Sequence, residues 1–452
     1  MKKLLLYFIL VVSTTLNAQD FWTESVPFNP LSGYYVNSIS IVDENAVWVT
    51  GTNYDETGNG PSTWGISIDG GQTWTTGYLP VSEDLQVCNI AAVSATTAYV
   101  LFYPNTSTVQ GGIWVTFDSG ATWTQQQPAI YSNGTESFPG AIHMFDQNTG
   151  VVIGDAAGGY FEIYMTSNAG TNWIRVPSSN IPQPLDGEYV NVGQFTAVGN
   201  TLWFGTNKDR LFRSDNYGYT WVVSQMPENQ PALYFDSIGA ITPFAFQNHN
   251  DGILTLKDGS LYSTSDSGLT WTEMTTANGV AWNRSTYRVP QTTNTYFSLG
   301  RNFDGEQERG SAYSTDGGNN WNSLNEIDHV VFPVIAKFYS PSVGYCSGYN
   351  GSDYRRFFRL TDEMSRLLKK ESFLAEKVFH AMPNPSKDII KLSGSDIDQV
   401  AIFDLGGKQI LVQDYHNQRE ITVDVSTWQN GLYLAKITSS DGTTASVKII
   451  KE

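Results

Sequence analysis

The chain has 452 residues, with 26 Lys or Arg against 44 Asp or Glu, so its formal net charge at pH 7 is −18. Such an acidic surface repels phosphates, which argues against a protein that binds nucleic acid or an anionic membrane. The chain is 40% hydrophobic and 13% aromatic but only 15% charged, with 41 glycines, which indicates a well-packed fold of short strands and turns.

The N-terminal segment has the pattern of a secretory signal peptide. Lys2 and Lys3 supply a basic start, an apolar run extends from Leu4 to Val12, and Ala18 is a small residue suited to cleavage. The apolar run is too short to span a bilayer, and no other segment of the sequence reaches that length. We therefore expect residues 1–18 to be removed, and we expect no transmembrane segment in the exported chain.

A unit of about fifty residues repeats six times through the middle of the chain, and each copy ends in Trp. The six Trp residues are spaced 49, 50, 48, 50 and 50 positions apart. Within each unit the Asp or Asn oxygen is expected to accept backbone N–H groups of a tight turn, after which the Trp begins the next strand. The residues predicted to build these turns are Asp69, Trp74, Asp118, Trp123, Asn168, Trp173, Asn216, Trp221, Asp266, Trp271, Asp316 and Trp321.

A second pattern, that of a strand, repeats with the same period. It occurs seven times, and each of the six repeated turns has one copy ahead of it. From Trp48 in the first copy to Tyr345 in the last it spans 297 residues in six intervals, a period of about 49.5. A blade of four strands needs about this length, and closing the blades into a ring removes exposed sheet edges. The sequence therefore predicts an all-β protein in which residues 19–362 form a seven-bladed β-propeller.

The seventh blade lacks the terminal Trp and must find its fourth strand elsewhere. Phe21–Val26 has the pattern of a strand that follows a repeated turn. We expect this N-terminal strand to complete the last blade and close the ring. A strand formed by Glu371–Phe379 is the alternative.

The repeated unit resembles the Asp-box (BNR) repeat of sialidases, sortilin-type receptors, certain endoglucanases and the photosystem-assembly factor family. The resemblance implies that the acidic turns are structural and lie away from the ligand. Sialidase activity is disfavoured, because the family places an Arg-Ile-Pro element before its first box. Here the first arginine is Arg175, and the nearest similar element, Arg288-Val289-Pro290, follows the fifth box.

Residues 381–452 differ from the rest and follow a helix-prone stretch in the linker predicted at 363–380. Short alternating strands separated by Gly-containing turns predict a small Ig-like β-sandwich. The predicted strands are Ile389–Leu392, Val400–Asp404, Gln409–Val412, Ile421–Val425, Leu432–Thr438 and Ala445–Ile450.

Several short motifs in this segment are similar to those of the C-terminal sorting domain of the type IX secretion system. They are Pro383-Asn384-Pro385, the turn at 402–408, the strand start at 430–433 and the terminal run at 447–451. The resemblance implies that the type IX machinery recognises residues 381–452 as a partner and removes them during export. It places the mature chain in the medium or on the outer-membrane surface of a Gram-negative bacterium.

The loops expected on the propeller face opposite the repeated turns carry aromatic and charged residues, which suit sugars or peptides. Solvated loops without a ligand are the alternative for any single residue. The candidate binding residues are Tyr131, Glu136, Asp155, Asp186, Glu188, Tyr234, Asp236, Trp282, Arg284 and Arg301.

The sequence predicts no catalytic residue, no metal site and no cofactor. The His residues of the repeats lack the close spacing of a zinc site, and Cys88 and Cys346 are interpreted as two small buried apolar residues. The predicted function is a secreted or cell-surface propeller that binds an extracellular glycan or protein without turnover. A glycoside hydrolase acting on extracellular polysaccharide, which needs only two suitably placed carboxylates, is the alternative.

Overall fold

The computed structural model describes sixteen stretches of the chain. They are residues 21–28, 34–53, 61–105, 109–126, 131, 138–227, 242–256, 258–279, 281–282, 285–301, 309–324, 331–350, 353–369, 379–404, 408–439 and 444–452. The chain divides into two compact units, residues 1–371 and residues 372–452.

The larger unit is a seven-bladed β-propeller made of seven four-stranded antiparallel sheets. From the centre of the ring outwards, the strands of blades 1 to 4 are Tyr34–Ile41, Val47–Asn53, Thr63–Ser67 and Thr75–Tyr78; Leu85–Ala92, Ala98–Pro104, Gly112–Thr116 and Thr124–Gln126; Pro139–Met144, Gly150–Ala157, Tyr160–Thr166 and Ile174–Arg175; and Val190–Val198, Thr201–Thr206, Arg210–Ser214 and Val222–Gln225. Those of blades 5 to 7 are Phe244–Phe246, Gly252–Thr255, Leu261–Thr264 and Thr272–Met274; Ser285–Arg288, Tyr296–Arg301, Arg309–Ser314 and Asn322–Ser323; and Val331–Ser340, Val343–Asn350, Asp353–Leu360 and Trp22–Ser25.

The core of the propeller is distributed around the ring. Among the described residues, seven apolar clusters each lie between two neighbouring blades, and one of them joins blade 7 to blade 1. The second strands are buried on both faces over much of their length, so apolar residues follow one another along them without strict alternation; Tyr99, Val100 and Leu101 are all fully buried. Burial of this kind explains why the second-strand repeat is readable in the sequence.

The last blade takes its outer strand from the start of the chain. Trp22–Ser25 pairs antiparallel with Asp353–Leu360, and Trp22 lies opposite Leu360. The ring is therefore closed by hydrogen bonds between residues more than three hundred positions apart. The alternative strand proposed at 371–379 lies almost wholly outside the described residues.

The described part of the propeller unit also contains two short helices. A 3-10 helix, Ser178–Asn180, lies between blades 3 and 4. An α-helix, Asp362–Lys369, follows blade 7, and its Met364 and Leu368, four positions apart, are fully buried. The first part of the predicted linker is thus a helix docked on the apolar cluster between blades 6 and 7.

The smaller unit is an antiparallel sheet domain with five strands. They are His380–Met382, Ile389–Asp404, Gln409–Asp424, Gly431–Ser439 and Thr444–Lys451. The strands are fewer and longer than predicted, because two pairs of predicted strands are each one continuous strand of 16 residues. Register shifts between Ser393 and Gln399 change the alternation, which keeps Leu392, Ile397 and Val400 in one core.

Candidate functional site

The carboxylate of Asp69 accepts hydrogen bonds from residues of its own turn. Its Oδ1 accepts the backbone N–H groups of Gln72 at 3.0 Å and Thr73 at 2.9 Å, and the Thr73 hydroxyl donates to Oδ2. The hydroxyl and amide of Thr73 lower the pKa of Asp69 to about 2. Gly71 has φ of 83°, which a residue with a side chain rarely adopts.

The other five repeated turns are built in the same way. In each, Oδ1 of the Asp or Asn accepts the backbone N–H of the residue four positions later, at 2.8–3.0 Å. These acceptors are Asp118, Asn168, Asn216, Asp266 and Asp316. Because four carboxylates and two amides make the same contact, a negative charge is not what the turn requires.

The Trp residues of the repeat lie at blade boundaries. Trp173 is 2% exposed, and its Nε1 donates to Oε1 of Gln126 in the preceding blade at 2.9 Å. Trp221 and Trp321 donate instead to carbonyl oxygens of their own turns, those of Gly218 and Gly318. The repeated motif therefore holds turns and neighbouring blades together.

Two of the predicted binding residues, Asp155 and Tyr131, lie where blade 3 meets its neighbours. Oδ1 of Asp155 accepts the backbone N–H of Val190 in blade 4 at 2.8 Å, and burial raises the pKa of this carboxyl group to about 7. Tyr131 is 1% exposed and packs edge-to-face on Tyr164, with ring centroids 5.8 Å apart. Burial raises the pKa of Tyr131 well above its ordinary value.

Glu188 is also engaged inside the protein. It is 5% exposed and accepts hydrogen bonds from the backbone N–H of Leu185 and from the Thr206 hydroxyl, at 2.7 and 2.6 Å. Arg210 forms an ion pair with it at 2.8 Å. This network fixes the connection between blades 3 and 4 and leaves the carboxylate little capacity for an outside ligand.

The remaining candidates are spread over the propeller. Asp186 is exposed, and Trp282 is half-buried with its backbone N–H donating to the Ser298 hydroxyl. Arg301 ends the second strand of blade 6, opposite Arg309. Glu136, Tyr234, Asp236 and Arg284 lie outside the described residues.

A cavity lies in the central channel, where the inner strands of all seven blades contribute to its wall. Its volume is about 600 Å³, which is in the range of small-molecule sites. No Asp or Glu is among the described residues that line it. Three described residues of the lining have side chains that can carry a positive charge, namely His143, Arg288 and Lys337.

Lys337 reaches across this channel. It belongs to the inner strand of blade 7, yet its Nζ lies 5.6 Å from the ring centroid of Phe195, in the inner strand of blade 4. The Phe195 ring is in turn 6.2 Å from that of His143 in blade 3. The Lys337 side chain is exposed to the channel, whose walls surround it with protein. The resulting loss of solvation lowers the pKa of Lys337.

His143 and Arg288 complete the positive lining. Burial, together with the nearby Lys337 ammonium group, lowers the pKa of His143 to about 4, so its imidazole is neutral at pH 7. Arg288 donates from Nη1 to the backbone oxygen of Gln247 at 2.8 Å. Burial lowers the pKa of Arg288, whose guanidinium still carries its charge at pH 7.

Sequence reasoning placed none of these three residues in a site. The available signal was a single basic residue within an apolar strand, as in Val334-Ile335-Ala336-Lys337-Phe338. Aligning the inner strands of the repeats would have shown that Lys337 and His143 both face the axis of the ring. The prediction concentrated on long loops and passed over the inner strands.

Two further findings concern the described part of the chain. Within these residues no helix is both long and apolar enough to cross a membrane. Nor do they contain a group of three or more His, Cys, Asp or Glu side chains placed to hold a metal ion.

Comparisons with known proteins assign the C-terminal unit and the fold of the propeller. Residues 380–452 match the family described as the secretion system C-terminal sorting domain. No curated protein matches the chain.

Among solved structures, YCF48 from Cyanidioschyzon merolae is 16% identical, covers 76% of this chain and 100% of its own, and has a TM-score of 0.53. YCF48 bound to D1 peptide is 15% identical, with 76% and 96% coverage and a TM-score of 0.52. A GH74 enzyme from Niastella koreensis is 13% identical, with 92% and 68% coverage and a TM-score of 0.29. At these identities the YCF48 structures support the propeller fold.

Proposed function

We propose that this type IX-exported β-propeller, a protein of the medium or the outer-membrane surface, binds an extracellular glycan or protein without turnover. The observation that carries the proposal is the channel of about 600 Å³, which has no carboxylate among its described lining residues. Hydrolysis of a glycosidic bond needs two carboxyl groups about 5–10 Å apart around the substrate. The described lining can hold a ligand but supplies none of the carboxyl groups that this cleavage uses.

The carboxylates of the blades support the same proposal. The four Asp residues of the repeated turns and Glu188 use their carboxylate oxygens in internal hydrogen bonds. We keep Asp186, Trp282 and Arg301, with the candidates outside the described residues, as possible contacts on the face opposite the turns. Alanine at Trp282 is expected to weaken retention of a ligand bound there.

One observation favours a glycoside hydrolase as the second candidate function. Asp155 has a pKa of about 7, and a carboxyl group that stays protonated near neutral pH is what a general acid requires. Its bond to the backbone N–H of Val190 gives it an equally good structural role. The two roles are separated by mutation to Asn, which keeps the hydrogen bond and removes the acid.

The test is a glycan and peptide array run beside a reducing-sugar release assay, with the purified, exported protein. The proposal expects retention of at least one ligand class and no sugar release. If the parent protein releases sugar, and Asp155→Asn does not although it keeps the parent's melting temperature, hydrolysis replaces binding as the function of the protein.

Export is tested separately. Mass spectrometry of the protein from the medium is expected to show cleavage after Ala18 and loss of residues 381–452. A chain that reaches the outside with residues 381–452 deleted would contradict the role proposed for the sorting domain.

A further inference from the structure

We infer that the central channel is a binding site for a carboxylate-bearing ligand about the size of one or two sugar or amino-acid residues, and that Lys337 is its principal contact. This inference rests on the proposed binding function and names the chemistry of the ligand. It follows from the hydrogen bonds of the channel wall, from the position of Lys337 and from the size of the cavity.

Several neutral polar groups of the wall take part in contacts between blades. The Ser38 and Ser40 hydroxyls accept the backbone N–H groups of Ile90 and Ala92 in the next blade, at 3.1 and 2.9 Å. Asn89 continues the pattern, since its side chain both donates to and accepts from the backbone of Ile142. These groups hold neighbouring blades together, so part of their hydrogen-bonding capacity is used before a ligand binds.

The Lys337 ammonium group is different, because it has three donors and lies over an aromatic ring. Among the described residues no carboxylate forms an ion pair with the Lys337 ammonium group. The ammonium group lies instead over the face of the Phe195 ring. A partly desolvated ammonium gains most from an anion that replaces its lost water. The guanidinium of Arg288 adds a second positive charge to the same lining.

The contrast with the rest of the chain strengthens the argument. A protein with net charge −18 repels anions in general, yet its channel is lined by cations without a described carboxylate. A cavity of about 600 Å³ accommodates a compact ligand and not a folded domain. The charge of the ligand is therefore expected to determine binding, and the Phe195 ring offers an apolar surface for its body.

The test is isothermal titration of the exported protein with two acidic probes and their neutral counterparts. Digalacturonate is compared with digalactose, and N-acetyl-Glu-Glu with N-acetyl-Gln-Gln. The inference expects at least one acid to bind, at least tenfold more tightly than its neutral partner and more weakly at higher salt. Which acid binds decides whether the carboxylate belongs to a sugar or to a peptide.

Variants at Lys337 locate the site. Lys337→Met keeps the length of the side chain and is expected to lower affinity at least tenfold, while Lys337→Arg retains most of it. Lys208→Met is the matched control, because it removes the same charge from an exposed side chain of the propeller that does not line the channel. Melting temperatures of all variants identify any that fail to fold, and Arg288→Gln then provides a second substitution in the channel.

Two outcomes overturn the inference. One is that neither acid binds; the other is that a bound acid is unaffected by Lys337→Met and Arg288→Gln. If the array still shows a retained ligand, the proposed binding function stands with its site elsewhere. If the array shows sugar release, the proposed function fails irrespective of the channel.

Discussion

Trp22 of the first described strand packs edge-to-face on Phe297 of blade 6, with ring centroids 5.9 Å apart and the planes at 82°. The two rings share an apolar cluster with Phe21, Met364 and Leu368. The N-terminal strand and the helix after blade 7 therefore contribute to the same apolar cluster. Closure depends on side-chain packing as well as on the strand pairing with Asp353–Leu360.

Trp22→Ala is expected to lower the free energy of unfolding by about 3–5 kcal/mol, because it removes a large side chain that is 6% exposed at the closure. Denaturant unfolding measures the change. Val26→Ala is the control, since Val26 is 53% exposed and its truncation is expected to cost no more than about 0.5 kcal/mol. Equal stabilities for the two variants would show that the N-terminal strand contributes little to closure.

The repeated turn offers a second prediction, at Asp69. Asp69→Ala removes the acceptor for the backbone N–H groups of Gln72 and Thr73, and we expect a loss of roughly 1–2 kcal/mol. Asp69→Asn keeps that oxygen, as Asn168 and Asn216 do in blades 3 and 4, and is expected to cost less. Thermal melts at pH 7 compare them; an Asn variant as unstable as the Ala variant would mean that the charge is required.

The sequence was sufficient for the fold because its strongest signals have a simple physical origin. Second strands such as Ala98–Pro104, which is buried except at Tyr103, need apolar residues on both faces, and each turn needs an oxygen acceptor and a Gly at fixed spacing. The second strand recurs seven times and the turn six times, so the copies reinforce one another. The C-terminal strands were harder to delimit, since a bulge at Ser393–Gln399 leaves the chain extended between two strands that were predicted to be separate.

The candidate site was less predictable, because burial cannot be read from one residue type. Glu188 sits in a polar loop of the sequence, yet it is 5% exposed and paired with Arg210. Lys337 has the opposite character, since it lies in an apolar strand and projects into the channel towards Phe195. Contacts between blades three apart around the ring have no trace in local sequence patterns.

The cysteines provide a third prediction. Cys88 and Cys346 are both buried, in agreement with their interpretation as small apolar residues. Burial raises the pKa of the Cys88 thiol, so little thiolate is present at pH 8. We expect a thiol reagent such as Ellman's reagent to react with neither cysteine in the folded protein and with both in guanidinium chloride. Absence of reaction after unfolding without reductant would indicate a disulfide between them.

The ionisation of Asp155 leads to the last prediction, which concerns pH. Its pKa is about 7 in the folded protein against 3.8 for an ordinary Asp, so between these values the folded state retains a proton that the unfolded state releases. The contribution of Asp155 to stability therefore falls as pH rises from 4 to 7 and is then constant. Asp155→Asn keeps the acceptor for Val190 and removes this dependence.

The stability of Asp155→Asn relative to the parent is consequently expected to rise between pH 5 and pH 8, by on the order of 2 kcal/mol. The neutral imidazole of His143 adds its own dependence in this range, but it is present in both proteins and cancels in the difference. Asp69→Asn is the control, because a carboxylate with a pKa of about 2 is ionised throughout and its difference is expected to stay flat. A flat difference for Asp155→Asn as well would mean that Asp155 is already ionised at pH 5 in the folded protein, and it would remove the one observation in favour of a general acid.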